Sequence, residues 1–202
     1  TLAPKGDKFV LRVPCGDWER VPWGSAVLHS RFIQHGVGYS SRYEGARSRS
    51  VHGINSDDYL SMEVLSGHAL MSDSGSWGRP ATRKYYLLQD LARRLALREI
   101  TASEFVAGDI HRQRVVWDDG TEIFVNRGAT DWAVAGRVLP PYGFLARTGD
   151  SFVAVERKDG SFAESARWES GWFCDARTVS MQAARRVFAK PMVESLLPKD
   201  AA

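Results

Sequence analysis

The sequence predicts an α+β chain in two parts that meet near residue 100. Three observations carry this expectation. Tyr85, Leu88, Leu91, Ala92 and Leu95 recur at helical spacing in the first part. Short apolar alternations broken by turn residues such as Asp118-Asp119-Gly120 and Lys158-Asp159-Gly160 fill the second. A length of 202 residues, 44% of them hydrophobic, is enough to bury a sizeable core. With 25% charged and 11% aromatic residues, the composition excludes a disordered tail, a collagen-like fibre and a disulfide mini-protein.

Taken in order, Lys8 to Val13 reads as a strand stopped by Pro14 and a Cys15-Gly16-Asp17 turn. Ser25-Ala26-Val27-Leu28-His29 reads as a second short strand. Between Ser30 and Asn55 neither a period of 2 nor one of 3.6 survives, and structureless stretches this long in compact proteins are commonly functional. Ser56 is placed to cap a helix whose first turn holds Asp57 and Asp58 and which runs to Gly67. After a loop from Ser72 to Gly78, Pro80 sits in the first turn of a longer helix reaching about Leu97. Arg112–Trp117 and Thr121–Asn126 flank the Asp-Asp-Gly turn as a hairpin, and Trp132–Leu139 forms another before Pro140-Pro141. Phe144–Arg147 and Phe152–Glu156 continue the strand pattern, so residues 101–202 are expected to form an all-β, sandwich-like domain. A short helix is expected near Met181–Ala189.

The formal charge of +3, from 27 Lys and Arg against 24 Asp and Glu, is mildly basic and lacks the dense stripe of a nucleic-acid binder. No run approaches the ~18 apolar residues of a membrane span. The chain starts Thr1-Leu2-Ala3-Pro4 without Met, as expected of a piece of a longer or processed protein. Cys15 and Cys174 allow either one bridge or two buried thiols. There is no Walker loop, Gly-x-Gly-x-x-Gly fingerprint, HExxH or acidic calcium loop, so neither a cofactor nor a metal is expected. The absence of a Gly-x-Ser-x-Gly elbow argues against a serine hydrolase.

Four of the five histidines (His29, His35, His52, His68) lie in the first half, which concentrates the chemistry there. His29 and Arg31 in His29-Ser30-Arg31 either contact substrate or tie down the following loop. Arg31 suits a hydroxyl-rich or anionic sugar through forked hydrogen bonds, and His29 can shuttle a proton. Asp57 and Asp58, near His52, either perform acid–base work or only cap a helix. Glu63, five residues before His68, completes the set of candidate carboxylates. Trp23 and Trp77 are candidate sugar-stacking platforms, with His52 and His68 as further substrate contacts. Trp18 has the same two readings, platform or core, whereas Trp117, Trp132, Trp168 and Trp172 are expected to pack between sheets.

Gly120-Thr121-Glu122-Ile123-Phe124-Val125-Asn126-Arg127-Gly128, then Trp132-Ala133-Val134-Ala135-Gly136 and Leu139-Pro140-Pro141-Tyr142-Gly143-Phe144, resembles the β-domain behind the catalytic barrel of large glycoside hydrolases. The preceding half, with His29-Ser30-Arg31-Phe32, the Asp57-Asp58 helix start and the Tyr85–Leu95 helix, is similar to the last strands and helices of a (β/α)₈ barrel. The family named by this resemblance is the endo-α-N-acetylgalactosaminidase-like glycosidases. It implies an α/β barrel-like fragment over residues 1–100, a carbohydrate substrate and a secreted or periplasmic setting. A complete barrel takes about 250 residues, so part of the acid–base machinery is expected outside this chain. The alternative is a non-catalytic carbohydrate-binding or structural β-module, and a third class is a protein-interaction domain.

Overall fold

The computed structural model describes residues 2–5, 8–11, 19, 21–35, 56–70, 79–158, 161–169, 171–177 and 186–189. The long aperiodic stretch, His52, Trp18, Trp77 and Cys15 lie outside the described residues.

An N-terminal hairpin pairs β1 (Leu2–Lys5) with β2 (Lys8–Leu11). Trp23–Leu28 forms a short helix, α1, where a strand is expected from Ser25 to His29. The cause is local. Pro22 sits at the helix start with φ −77°, its carbonyl accepts from Ala26 N at 2.8 Å, and Ser25 O accepts from His29 N at 2.9 Å. Five residues with one β-branched member (Val27) leave no periodicity strong enough to oppose that turn.

Helix α2 (Ser56–Ser66) follows the expected span and ends at Gly67, whose φ of +67° is the left-handed conformation glycine adopts without penalty. His68 N donates to Glu63 O at 3.1 Å and Gly67 N to Val64 O at 3.2 Å, closing the helix with a Schellman cap. Helix α3 (Arg79–Leu95) buries Leu88, Leu91 and Leu95 of the expected stripe and adds Leu87, whereas Tyr85 is exposed and Ala92 only half-buried.

The remaining chain is mostly strand: β3 (Ile100–Phe105), β4 (Arg112–Trp117), β5 (Glu122–Asn126), β6 (Trp132–Val134), β7 (Arg137–Leu139), β8 (Phe144–Thr148), β9 (Ser151–Lys158), β10 (Ser161–Trp168), β11 (Gly171–Arg177) and β12 (Arg186–Ala189). Eight of these form one antiparallel sheet in the order β12-β11-β10-β9-β8-β5-β4-β3, and β6–β7 is a separate hairpin inserted between β5 and β8. The strand-rich second half is as expected. Arg186–Ala189, in the span where a short helix is expected, pairs instead with the edge of β11, which supplies ladder partners to an alternating Arg-Val-Phe-Ala run.

Helices α2 and α3 lie against one face of the sheet. Leu60, Val64 and Leu65 of α2 and the α3 leucines share a buried cluster with Val115, Trp117, Ile123, Val125, Phe144, Val153, Val155 and Phe173. The core therefore draws on residues from both sides of position 100. The barrel-like alternation of strands and helices expected for residues 1–100 does not appear among the described residues. On the opposite face a smaller cluster of Phe124, Trp132, Leu139, Leu145 and Ala154 seats the β6–β7 hairpin.

The Leu-Pro-Pro-Tyr-Gly-Phe corner has a steric reason. A Cβ at Gly143 would stand 2.7 Å from Val155 O, so only glycine lets the corner pass beneath β9. Asn126, fully buried, fixes the neighbouring loop: its Nδ2 donates to Thr130 O and Leu139 O, both at 2.8 Å, and its Oδ1 accepts from Gly128 N at 3.0 Å. Among the described residues no helix is long and apolar enough to cross a membrane.

Candidate functional site

The residues expected to carry chemistry separate into two groups. His29 is buried at the junction of α1, the end of α2 and the sheet. Its Nε2 faces Gly67 O at 2.9 Å and its Nδ1 faces Arg98 O at 3.1 Å, while its ring meets Trp117 edge-on with centroids 4.8 Å apart. An imidazole enclosed by two carbonyls and an indole fastens three segments and has no open side for a substrate. His68 is half-buried, with Nε2 3.3 Å from Ser25 Oγ, which donates to Gln34 Oε1 at 3.0 Å. Burial first, and then the neighbouring His29, Lys84 and His35, hold the His68 imidazole below its usual range.

Glu63 forms an ion pair with Lys84 between α2 and α3, and both side chains are only 4% exposed. The expected catalytic carboxylate Glu63 is thus held against an ammonium inside the helix interface rather than at an open surface. Arg31 and Trp23 (73% exposed) lie at the surface and take no part in this cluster. Asp57 and Asp58 stand in the first turn of α2, and their side chains, like His52 and Trp77, fall outside the described residues.

A second polar group draws on positions the sequence offers no reason to connect. Glu19 bridges Arg127 (Nε to Oε1, 2.7 Å) and His111 (Nδ1 to Oε2, 2.9 Å). Arg127 Nη1 donates to Ser61 Oγ at 3.2 Å, and its side chain is 4% exposed. The carboxylate accepts, so His111 carries its proton on Nδ1. Separations of 92 and 108 residues from Glu19 hide this grouping from any local pattern.

The sheet face away from the helices holds a recess of about 320 Å³ over β9, β10 and β11. Strand register builds it. Phe152, Arg167 and Trp172 stand directly opposite one another in one row, Ala154, Ser165 and Cys174 in the next. The small second row makes a floor, and the large first row makes a wall. From the β6–β7 hairpin, Arg137 reaches over Phe152, its guanidinium carbon 4.2 Å from the ring centroid, and pairs with Glu156. Trp172 is half-buried, and its indole N–H has no acceptor among the described residues. Trp172 is expected to pack between sheets; it stands instead on the face of a single sheet, with its indole nitrogen buried. Arg167 and Lys158 complete the lining at its exposed margin.

The chain matches no family model, no curated protein and no solved structure. Among the described residues no three His, Cys, Asp or Glu side chains gather as a metal site. The recess offers aromatic surface, a hydroxyl and guanidinium donors in one concave place, a combination suited to holding a polar ligand by one face.

Proposed function

We propose that this chain is the non-catalytic, carbohydrate-binding β-part of a glycoside hydrolase whose acid–base groups lie outside it. One observation carries the reading: the recess beside Trp172 and Phe152. A pyranose presents an apolar C–H face and a rim of hydroxyls. An indole and a phenyl ring match the first, and Ser165, Arg137 and Arg167 match the second.

The engagement of Glu63 with Lys84 and of His29 with two carbonyls supports the non-catalytic half of the reading, since both groups are committed to packing. Resemblance of the Gly120–Phe144 stretch to the β-domains of large glycosidases supports the carbohydrate half.

The test is a glycan array run beside a hydrolysis assay on the same panel. Binding without turnover is expected. Turnover that disappears in Glu63→Gln, with folding intact, would place catalysis within the chain and overturn the proposal.

A further inference from the structure

We infer that the recess over β9–β11 selects an acidic saccharide, a sugar bearing a carboxylate or sulfate, over a neutral one. The inference rests on the carbohydrate reading and adds the charge of the ligand. Four charged residues line the recess: Arg137, Lys158, Arg167 and Glu156. Glu156 is spent on Arg137, which also lies over Phe152. Lys158 and Arg167 form no ion pair among the described residues, and both are exposed at the margin. Among the described residues two cations therefore remain for a ligand.

The donor balance points the same way. Arg137, Arg167 and Lys158 only donate, the Ser165 hydroxyl does both, and the acceptor Glu156 is already engaged. Neutral sugar hydroxyls need acceptors as well as donors. A carboxylate or sulfate only accepts, and it matches a guanidinium fork.

Size limits the ligand further. A recess of about 320 Å³ lies at the lower end of the roughly 300–1,000 Å³ usual for small-molecule sites. A neighbouring recess of about 470 Å³ shares Arg137, Glu156 and Lys158 with it. One sugar ring fits against Trp172, and a second can continue past Arg137 along the hairpin.

Calorimetry of the full chain with digalacturonate, its neutral dimethyl ester and adenosine monophosphate tests this. Digalacturonate is expected to bind at least tenfold more tightly than the ester, and to weaken as salt rises. Arg167→Gln and Lys158→Gln, both at exposed positions, should each lose roughly tenfold in affinity for digalacturonate and little for the ester. Trp172→Ala removes the stacking ring and is expected to weaken both sugars.

Equal affinity for acid and ester, or an acid preference untouched by all three variants, overturns the inference while the carbohydrate reading stands. Tighter binding of adenosine monophosphate, lost in the same variants, assigns the recess to phosphate and overturns it too. Failure of both sugars and of every glycan on the array removes the carbohydrate reading together with the inference.

Discussion

Gly67 lies flat against Trp117: a Cβ on Gly67 would stand 2.6 Å from the indole Cζ2, and the φ of +67° there already disfavours any side chain. This contact joins the end of α2 to the end of β4, the strand next to the sheet's edge, and His29 closes it from the third side. Gly67→Ala is therefore expected to cost about 2–4 kcal/mol through overpacking and backbone strain. Urea unfolding monitored by tryptophan fluorescence reads this directly. A loss under about 0.5 kcal/mol, the range of an ordinary surface change, would mean that the helix end and the sheet are not tightly joined.

Glu63 and Lys84 are buried in the α2–α3 interface as an ion pair. Removing one partner leaves a charge without its counterion in the interior, at about 3–5 kcal/mol. Glu63→Met and Lys84→Leu should each show that loss, whereas the two substitutions together should recover most of it. A double-mutant cycle measures the coupling. Additive single losses would show that the pair does not act as a unit.

The lowered His68 pKa gives stability a pH dependence with a defined sign. The folded protein holds this ring neutral more strongly than the unfolded chain does. The unfolded state therefore binds more protons between the folded and the ordinary value, and stability falls as pH drops below about 6.5. His68→Gln should flatten the urea midpoint between about pH 7.5 and 5.5. A second, more acidic loss is expected from Glu122. Hydrogen bonds from Arg114 hold its carboxyl low against the opposing effect of burial, helped by Arg147. That contribution is complete above the ordinary carboxylate range and disappears as pH falls through the folded value.

Asn126 spends both ends of its amide on the loop between β5 and β6 and on the end of β7. At about 1 kcal/mol for each of the three hydrogen bonds, Asn126→Ala is expected to cost about 2–4 kcal/mol. Hydrogen exchange should quicken first in the β6–β7 hairpin. Uniform quickening across the whole sheet would contradict a local role.

Local patterns made much of this fold legible. Alternation in β4 buries Gln113, Val115 and Trp117, and Leu88, Leu91 and Leu95 of α3 lie buried at the expected spacing. Tight turns such as Asp118-Asp119-Gly120 announce themselves because few residues accept their geometry, and here Gly120 has φ +80°. Helix α1 was not legible, because six residues are too few for a period and a backbone turn at Pro22 decides them. The barrel-like expectation for residues 1–100 came from resemblance, and periodicity could not tell helices on a sheet from helices around a barrel. Glu63 and His29 look reactive in a string of letters, but burial and partners engage them in packing. The recess is not legible in the sequence, because Phe152, Arg167 and Trp172 meet only through cross-strand register.

The carbohydrate reading meets its most direct test at one proton. The Trp172 indole N–H resonance, assigned by its disappearance in Trp172→Phe, is followed while neutral and acidic oligosaccharides are titrated into the full chain. A saturable shift of that resonance, with the other indole protons little changed, is the predicted result. A Trp172 resonance that stays in place while other sites respond, or while nothing responds, would contradict a sugar-binding role for this face.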